Sequence, residues 1–416
     1  MMILSLPSRL AVAFSCALLP GAALAALEAD VTTSRGVVTI ELAYDKAPGT
    51  VANFITLAEG TRSWIEPFTG GVKEERFYDE SGFMKVENSS SSKFAETGSI
   101  AGSGTDGPGY AIRDEFDPTL LHEAYAVAMS SEGPNTGGSR WYLSGDVARP
   151  SRNSRDVVFG KVISPASRAV VNDIIAAGAG NSSITSISFR RTDAAALAFD
   201  EAAVALPSVS GAAGSLSVVP GTGVQFDFLQ LASTVLRATT STDLSYWMPL
   251  YRSFIALDDS LPPALRTIGP ADVPKRFYFF SLASYPDAGG VSSFANRTLV
   301  TSSSHAGQMI YEFDETGLAG TFVNSPFPEF PELTFPGTFV VRTDVQAPVL
   351  EPYSFRIHIQ TTGLPGDTPN HVIRGGYDAV TPTKVTGRQF SDFYSAGMVL
   401  TFAESEADMP LELSRP

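Results

Sequence analysis

Cysteine is almost absent. The 416 residues hold one, Cys16, and it sits in an apolar stretch near the start of the chain. Beyond that stretch no disulfide can form, so the cores must hold without staples. A thiol nucleophile and a thiolate metal site are excluded with it. Histidine is scarce too: the chain has four, and His305, His358 and His371 have no carboxylate or second histidine at metal-ligand spacing, so no metal site is expected. Positive charge is short, with 29 Lys and Arg against 44 Asp and Glu, for a net charge of −15. No Lys/Arg cluster stands out, which argues against a nucleic-acid partner, because phosphates are neutralised by such clusters. No apolar run approaches the roughly 20 residues that span a bilayer, so no stable membrane span is expected. The second half offers no Ser/His/Asp pattern for a hydrolase, and nothing calls for a cofactor.

What is present describes a globular, multi-domain chain. Hydrophobic residues make up 44% and mean hydropathy is +0.07, outside the disordered range. The length is too great for one core, so two or three domains are expected. Residues 1–25 read as a signal peptide: Arg9 is the positive flank, Leu10 to Leu19 the apolar segment, and Ala23-Leu24-Ala25 the cleavage site. The residues before Cys16 (Ala13-Phe14-Ser15) fit a lipid-attachment signal poorly. The mature chain is expected to begin near Ala26 and to be secreted or periplasmic.

Residues 29–44 alternate as a strand pair about Ser34-Arg35-Gly36. Pro48 opens a helix, Val51, Phe54, Ile55 and Leu57 recur at helical spacing, and Gly60 stops it. A polar insert, 61–76, precedes Phe77-Tyr78-Asp79. A second helix is expected over Ser167–Ala177 and a closing strand over Ile184–Arg190.

Three stretches carry a more specific signal. The first is Gly133-Pro134-Asn135-Thr136-Gly137-Gly138-Ser139-Arg140-Trp141-Tyr142-Leu143, a turn-rich loop running into a strand, with Ala128-Met129 just ahead of it. Upstream lies Gly102 to Tyr110, followed by Asp114-Glu115-Phe116. Downstream is Asp156-Val157-Val158-Phe159-Gly160-Lys161-Val162. In this order and spacing the three resemble the cyclophilin family of peptidyl-prolyl cis/trans isomerases, over about residues 29–191. The resemblance implies a mainly β fold: a cyclophilin-like antiparallel β-barrel with two capping helices, and a groove that binds proline-containing peptides.

Rotating an Xaa-Pro bond faces a barrier of about 18–20 kcal/mol, because the amide must lose its resonance. An isomerase therefore needs an apolar pocket for the ring and a positive donor that acts most strongly on the twisted amide. Cyclophilins use Arg in a Phe-His-Arg run, and the matching run here is Phe83-Met84-Lys85. Lys85 is the implied catalytic residue, without the planar fork of Arg. A family Gln falls on Glu96, or on Thr97 in another register, and the second on Arg140. The family Trp and His fall on Ser151 and Asp156. The resemblance implies substrate-binding roles for Phe83, Phe94, Glu96, Ser130, Ser131, Glu132, Arg140, Tyr142 and Asp156. Trp141 and Tyr142 alternate, so one alone can face the groove. His122 is read as structural. Glu96 and Arg140 are expected to pair across the groove, since pairing lowers their joint desolvation cost.

Beyond residue 192 the character changes. Residues 193–207 read as a linker and the Ser/Gly-rich stretch from Ser208 to Gly214 as the boundary. A β-rich module is expected over 208–290 and a further β-rich domain over 291–416, as one or two β-sandwich-like units. Tyr353 to Gln360 alternates strictly, and Met309–Phe313 with Thr321–Val323 reads as a hairpin turning at Thr316-Gly317. The stretch Ala238 to Trp247, with Arg276-Phe277-Tyr278, loosely resembles a small β module of secreted bacterial proteins, which carries no activity. Gly320-Thr321-Phe322-Val323 recurs as Gly337-Thr338-Phe339-Val340, which suggests hairpin grammar more than a true repeat. Prolines 326, 328, 331 and 336 are expected between strands, and Asp314-Glu315, Glu404, Glu406 and Asp408 in solvated turns.

Two readings follow. One is an isomerase of exported proteins with reduced activity; the other is a catalytically weak or inactive proline-peptide binding or scaffold protein, attached through its β domains. A barrel that closes on its own strands leaves no edge to cover, so residues 26–205 are expected to fold alone.

Overall fold

The computed structural model describes residues 27–414 apart from 103, 105, 213, 220–222, 229–232, 256–264, 270–275, 287–289, 292, 304–306, 327–332, 344–348, 363–369, 381–383 and 395–399. The expected signal peptide, Cys16, His305 and prolines 328 and 331 lie outside the described residues.

The first unit runs through β1 (Leu27–Thr33), β2 (Gly36–Leu42), α1 (Pro48–Glu59), a short hairpin of β3 (Trp64–Ile65) and β4 (Val72–Lys73), β5 (Lys85–Asn88), β6 (Lys93–Thr97), β7 (Ala126–Met129), β8 (Trp141–Ser144), β9 (Val157–Val162), α2 (Pro165–Ala177) and β10 (Ile184–Arg191). Eight of these strands form one curled antiparallel sheet in the order β10-β1-β2-β9-β7-β8-β6-β5. Val38, Ile40 and Leu42 point into its core, where alternation requires them, and Val37 points out. The sheet's ends do not form a full ladder. They meet through a Gly82–Ser183 bridge and the bonds Phe83 N–H to Ser182 O (2.9 Å) and Ile184 N–H to Ser81 O (2.8 Å).

Helix α1 begins at Pro48, whose missing N–H costs nothing there, and ends at Gly60, which adopts φ 75°. Its N-terminus has no cap of its own. Glu115 supplies one from a distant loop, accepting from Gly49 N–H (2.9 Å) and Thr50 N–H (2.7 Å). Phe54 packs against Tyr78, Trp141, Phe159 and Phe189, with ring centroids 5.3–5.9 Å apart, so the helix stoppers the barrel. Helix α2 starts ahead of the expected Ser167, at Pro165, because the Ser164 hydroxyl caps Ser167 N–H (3.0 Å).

The expected linker is docked rather than free. A one-turn helix, α3 (Ala194–Ala198), buries Ala196 in the barrel core. The Phe199 ring packs tilted against Tyr44, with centroids 5.3 Å apart, and Glu201 accepts from Arg191 at 2.9 Å. Nor is the stretch from Ser208 a boundary spacer: it forms β11 (Ser208–Gly211) and opens β12 (Gly214–Val219).

The second unit adds β13 (Gly223–Phe228), β14 (Thr234–Ser241), β15 (Met248–Ile255), β16 (Leu265–Gly269) and β17 (Phe277–Ser284). Sheets β11-β17-β14-β15 and β12-β13-β16 meet through Phe226 stacked on Phe280 at 3.8 Å, a two-layer arrangement. The third unit comprises β18 (Thr298–Ser303), β19 (Gly307–Phe313), β20 (Ala319–Ser325), β21 (Phe335–Val341), β22 (Val349–Leu350), β23 (Ser354–Thr362), β24 (Asn370–Val380), β25 (Lys384–Tyr394) and β26 (Leu400–Ser414). Strand β21 pairs with both β20 and β23, so eight strands close into a ring instead of facing a second sheet. Each strand then has one buried face, which is what the alternation in β23 encodes: Phe355, Ile357 and Ile359 are in the core, Arg356 and His358 outside it.

Several expectations resolve here. The hairpin is β19–β20, with Gly317 at φ 70°. The recurring Gly-Thr-Phe-Val segments are antiparallel neighbours. Gly320 sits opposite Phe339 and Gly337 opposite Phe322, each glycine leaving room for the other strand's ring. Pro336 lies within β21, and Glu404, Glu406 and Asp408 lie within β26 rather than in turns. Asp314 is a turn residue, accepting from Thr316 and Gly317 N–H at 3.0 Å each.

The three units share apolar surface. Ile65, Tyr110 and Ile112 of the first are buried with Val209, Val235, Ala283 and Tyr285 of the second and with Tyr353.

Candidate functional site: a charged groove on the outer face of the first sheet

Strand register places one row of side chains across the sheet: Lys85 opposite Glu96, Glu96 opposite Tyr142, Tyr142 opposite Ala128, Ala128 opposite Val158. Phe94, two residues from Glu96, shares this face and packs with Ala126, Ala128, Tyr142 and Val158 in a small apolar cluster separate from the barrel core. Trp141 points the other way, into the core, as does Thr97, whose hydroxyl donates to Gly82 O (2.9 Å). Glu96, not Thr97, therefore lies on the groove face. Phe83 also belongs to the barrel core, so its expected substrate-binding role is not supported by its position. Lys85 is exposed, with Nζ 5.7 Å from the Phe94 ring centroid.

Glu96 and Arg140 are paired at 3.2 Å, with side chains only 4% and 10% exposed. The second arm of the guanidinium donates to Glu132 (2.8 Å), and the first also donates to Gly104 O. Two charges taken so far out of water are tolerable because each is matched and hydrogen-bonded.

The apolar floor is covered by a residue the sequence reading did not single out. The Arg149 guanidinium lies 4.2 Å from the Phe94 centroid and 5.0 Å from that of Tyr142. Phe94 and Tyr142 are consequently 3% and 1% exposed. The contact is a cation on two π-faces.

Asp156 occupies the far side. It accepts from Tyr142 Oη (2.9 Å) and Ser131 Oγ (3.1 Å), and pairs with Arg152 Nε (3.0 Å). His122 Nε2 is 2.9 Å from the same Tyr142 hydroxyl, and its Nδ1 is 3.0 Å from Asn153 Oδ1. Burial holds His122 below its ordinary value, and burial together with the Asp156 carboxylate pushes the Tyr142 phenol well up. His122 is thus built into the groove wall, which its isolated place in the sequence did not reveal.

The loop between β7 and β8 is fixed from several sides. Ser130 N–H donates to Arg140 O (2.8 Å), and Glu132 and Gly133 N–H donate to Thr136 Oγ1 (2.9 and 3.0 Å). Asn53 of α1 donates to Gly138 O (2.7 Å) and accepts from Tyr110 Oη (2.8 Å). Asn135, at φ 55°, donates its N–H to Asp114 (2.7 Å) and its side-chain amide to Tyr377 O (3.1 Å) in the third unit. Arg388 reaches Asp114 from that unit at 3.3 Å, and Arg113 donates to Tyr377 O at 2.5 Å.

Among the described residues no cluster of three or more His, Cys, Asp or Glu could hold a metal ion, and no helix is long and apolar enough to cross a membrane. Chemically, the groove offers a cation at its rim and an aromatic floor closed by its own charges, while the N–H groups of Ser130, Ser131, Glu132 and Gly133 are all taken up within the protein.

Residues 28–188 match the family described as cyclophilin type peptidyl-prolyl cis-trans isomerase/CLD. Peptidyl-prolyl cis-trans isomerase B of Streptomyces anulatus is 39% identical over 153 residues, which are 36% of this chain and 84% of that protein. Peptidyl-prolyl cis-trans isomerase A of Mycobacterium tuberculosis is 37% identical over 152 residues, 36% of this chain and 81% of that protein. A solved cyclophilin-type isomerase of Cryptosporidium parvum aligns at 21% identity and a TM-score of 0.33, over 40% of this chain and 99% of its own. With a barrel, a groove loop and relatives matched over most of their length, this chain belongs, through residues 28–188, to the cyclophilin-type peptidyl-prolyl cis-trans isomerase family.

Proposed function

We propose that the protein is a cyclophilin-type isomerase of exported proteins whose turnover lies well below that of a member with the full groove set. The observation that carries this reading is the occupation of the groove by its own charges: Arg140 bound by Glu96 and Glu132, and Arg149 over Phe94 and Tyr142. A proline ring can reach that floor only by displacing Arg149. Lys85 remains as the donor for the twisted amide nitrogen, a point charge without the two-pronged geometry of Arg. Export rests on the apolar leader with its small-residue cleavage site.

A loss on the order of two or more factors of ten is expected, each factor being about 1.4 kcal/mol of transition-state stabilisation. Measuring cis/trans rates on a proline test peptide decides this. Lys85→Arg alone should help little. Lys85→Arg with Glu96→Gln and Arg140→Gln should recover most of the rate that does not depend on moving Arg149. Full family speed in the unmodified protein sinks the proposal.

A second reading, a proline-peptide binding or scaffold protein with little turnover, is favoured by the grip of the third unit on the groove loop through Asn135, Arg113 and Asp114. It predicts peptide binding without rate enhancement in the same assay.

A further inference from the structure

Arg149 differs from the other arginines of the groove wall in having no counter-charge. Arg140 pairs with Glu96 at 3.2 Å and Arg152 with Asp156 at 3.0 Å, and Lys93 beside them pairs with Asp146 at 2.9 Å. Among the described residues no carboxylate lies within ion-pair distance of Arg149, and its buried Nη1 makes no hydrogen bond. A guanidinium N–H hidden from water without an acceptor is costly and calls for an explanation. Ring faces alone hold the head group, over Phe94 and Tyr142. Its stem is fixed, because the Arg149 N–H donates to His122 O (2.7 Å) and Pro150 follows. The side chain can therefore swing while its anchor stays. Lys85, the second cation at the Phe94 ring, is exposed and likewise has no ion pair among the described residues. Glu87, opposite Phe94 in the ladder, accepts from Ser89 Oγ (3.3 Å) instead. The groove mouth thus carries two uncompensated cations on a chain of net charge −15.

We propose that Arg149 is a substrate-reading gate: an acidic residue beside the proline binds the guanidinium, draws it off Phe94 and Tyr142, and opens the floor to the ring. A carboxylate presents two acceptors to the planar fork and satisfies its N–H groups, which ring faces do not. A neutral neighbour offers no such exchange, and the floor stays covered. The inference rests on the groove reading above and assigns its substrate class, prolines flanked by Asp or Glu. The slow turnover proposed there then holds for peptides that are neutral beside the proline.

The test uses the full chain and amidated peptides that differ only beside the proline, with Glu or Gln before it and Glu or Gln after it. Cis/trans rates and the binding of labelled peptides are both read. In at least one pair Glu should outdo Gln by about tenfold, an advantage that shrinks as salt is raised. Arg149→Ala should level the pair, raising the rate on Gln and lowering the affinity for Glu. Arg149→Lys keeps the charge without the fork and should keep only part of the preference. Where turnover is undetectable, the binding ratio decides. Equal Glu and Gln binding and rates overturn the gate, and slow turnover on every peptide then leaves the closed-groove reading standing. A Glu preference that survives Arg149→Ala, or that Lys85→Gln removes from binding, assigns the carboxylate elsewhere and also overturns it. Full family speed on the Gln peptides sinks the closed groove itself, and the gate with it.

Discussion

At the scale of single residues the groove is governed by arginine where an isomerase of this family would present neutral amides and an open ring pocket. Arg149 is the most informative position. Its guanidinium gains roughly 0.5–2 kcal/mol from aromatic contact, so Arg149→Ala should slightly lower stability while exposing Phe94 and Tyr142. Proline-peptide affinity should rise several-fold in a fluorescence titration; unchanged affinity would mean that the ring binds elsewhere. The Glu96–Arg140 pair gives a second test. Arg140→Gln alone leaves a buried carboxylate unmatched and should cost about 3–5 kcal/mol in chemical unfolding. Adding Glu96→Gln should return part of that loss, so the two changes are non-additive. Additive effects would show that Glu132, which is half-exposed, is the partner that matters.

At the scale of elements, helix α1 and the loop after β7 depend on groups far away in sequence. Glu115 caps α1 in place of a local residue, and Glu115→Ala should destabilise the first unit by about 1–2 kcal/mol, as loss of an N-cap does. Strand β24 makes room for the loop at Gly376. An added Cβ there would lie 2.5 Å from Pro134 Cβ. Gly376→Val should therefore push the loop off the third unit, at about 1–3 kcal/mol for an overpacked contact. Protection of the Asn135 region from hydrogen exchange would fall with it; unchanged protection would mean that the units are not held through this loop.

For the whole molecule, the covered apolar face changes the expectation of an independent barrel. Residues 26–205 alone would expose Ile65, Tyr110 and Ile112, which the full chain buries. Such a fragment should be less stable than the full chain and prone to association, as judged by light scattering at matched concentration. Acidity should affect the docking too. Burial raises Asp114 from 3.8 to about 7, despite Arg388 beside it. The docked state then keeps a proton that a separated chain loses above about pH 4. The contribution is fully present below that pH, declines as pH rises towards about 7, and is flat beyond. Asp114→Asn should abolish this slope in melting curves recorded between pH 4 and pH 8.

Much of this was legible from the chain alone, and the reason is local. Pro48 and Gly60 bound α1 wherever it packs, because their backbone preferences do not depend on partners. The alternation in β23 and the turn at Gly317 are equally self-contained. The glycine-rich loop marked the groove because such a turn needs those residues in any context. Lys85, Glu96, Arg140 and Tyr142 could be placed on one face by strand periodicity once the strands were placed. What the tertiary structure alone decided are the relations between distant segments. Phe83 precedes β5, so periodicity could not say that it turns into the core. Arg149 lies in an irregular loop, where no period indicates direction, and only packing brings it over Phe94. Closure of the third unit depends on β21 meeting β23, a pairing between whole hairpins that no alternation within one strand encodes. The facing arginines of β23 and β24, eighteen residues apart, likewise become neighbours only when register sets Arg356 opposite Arg374.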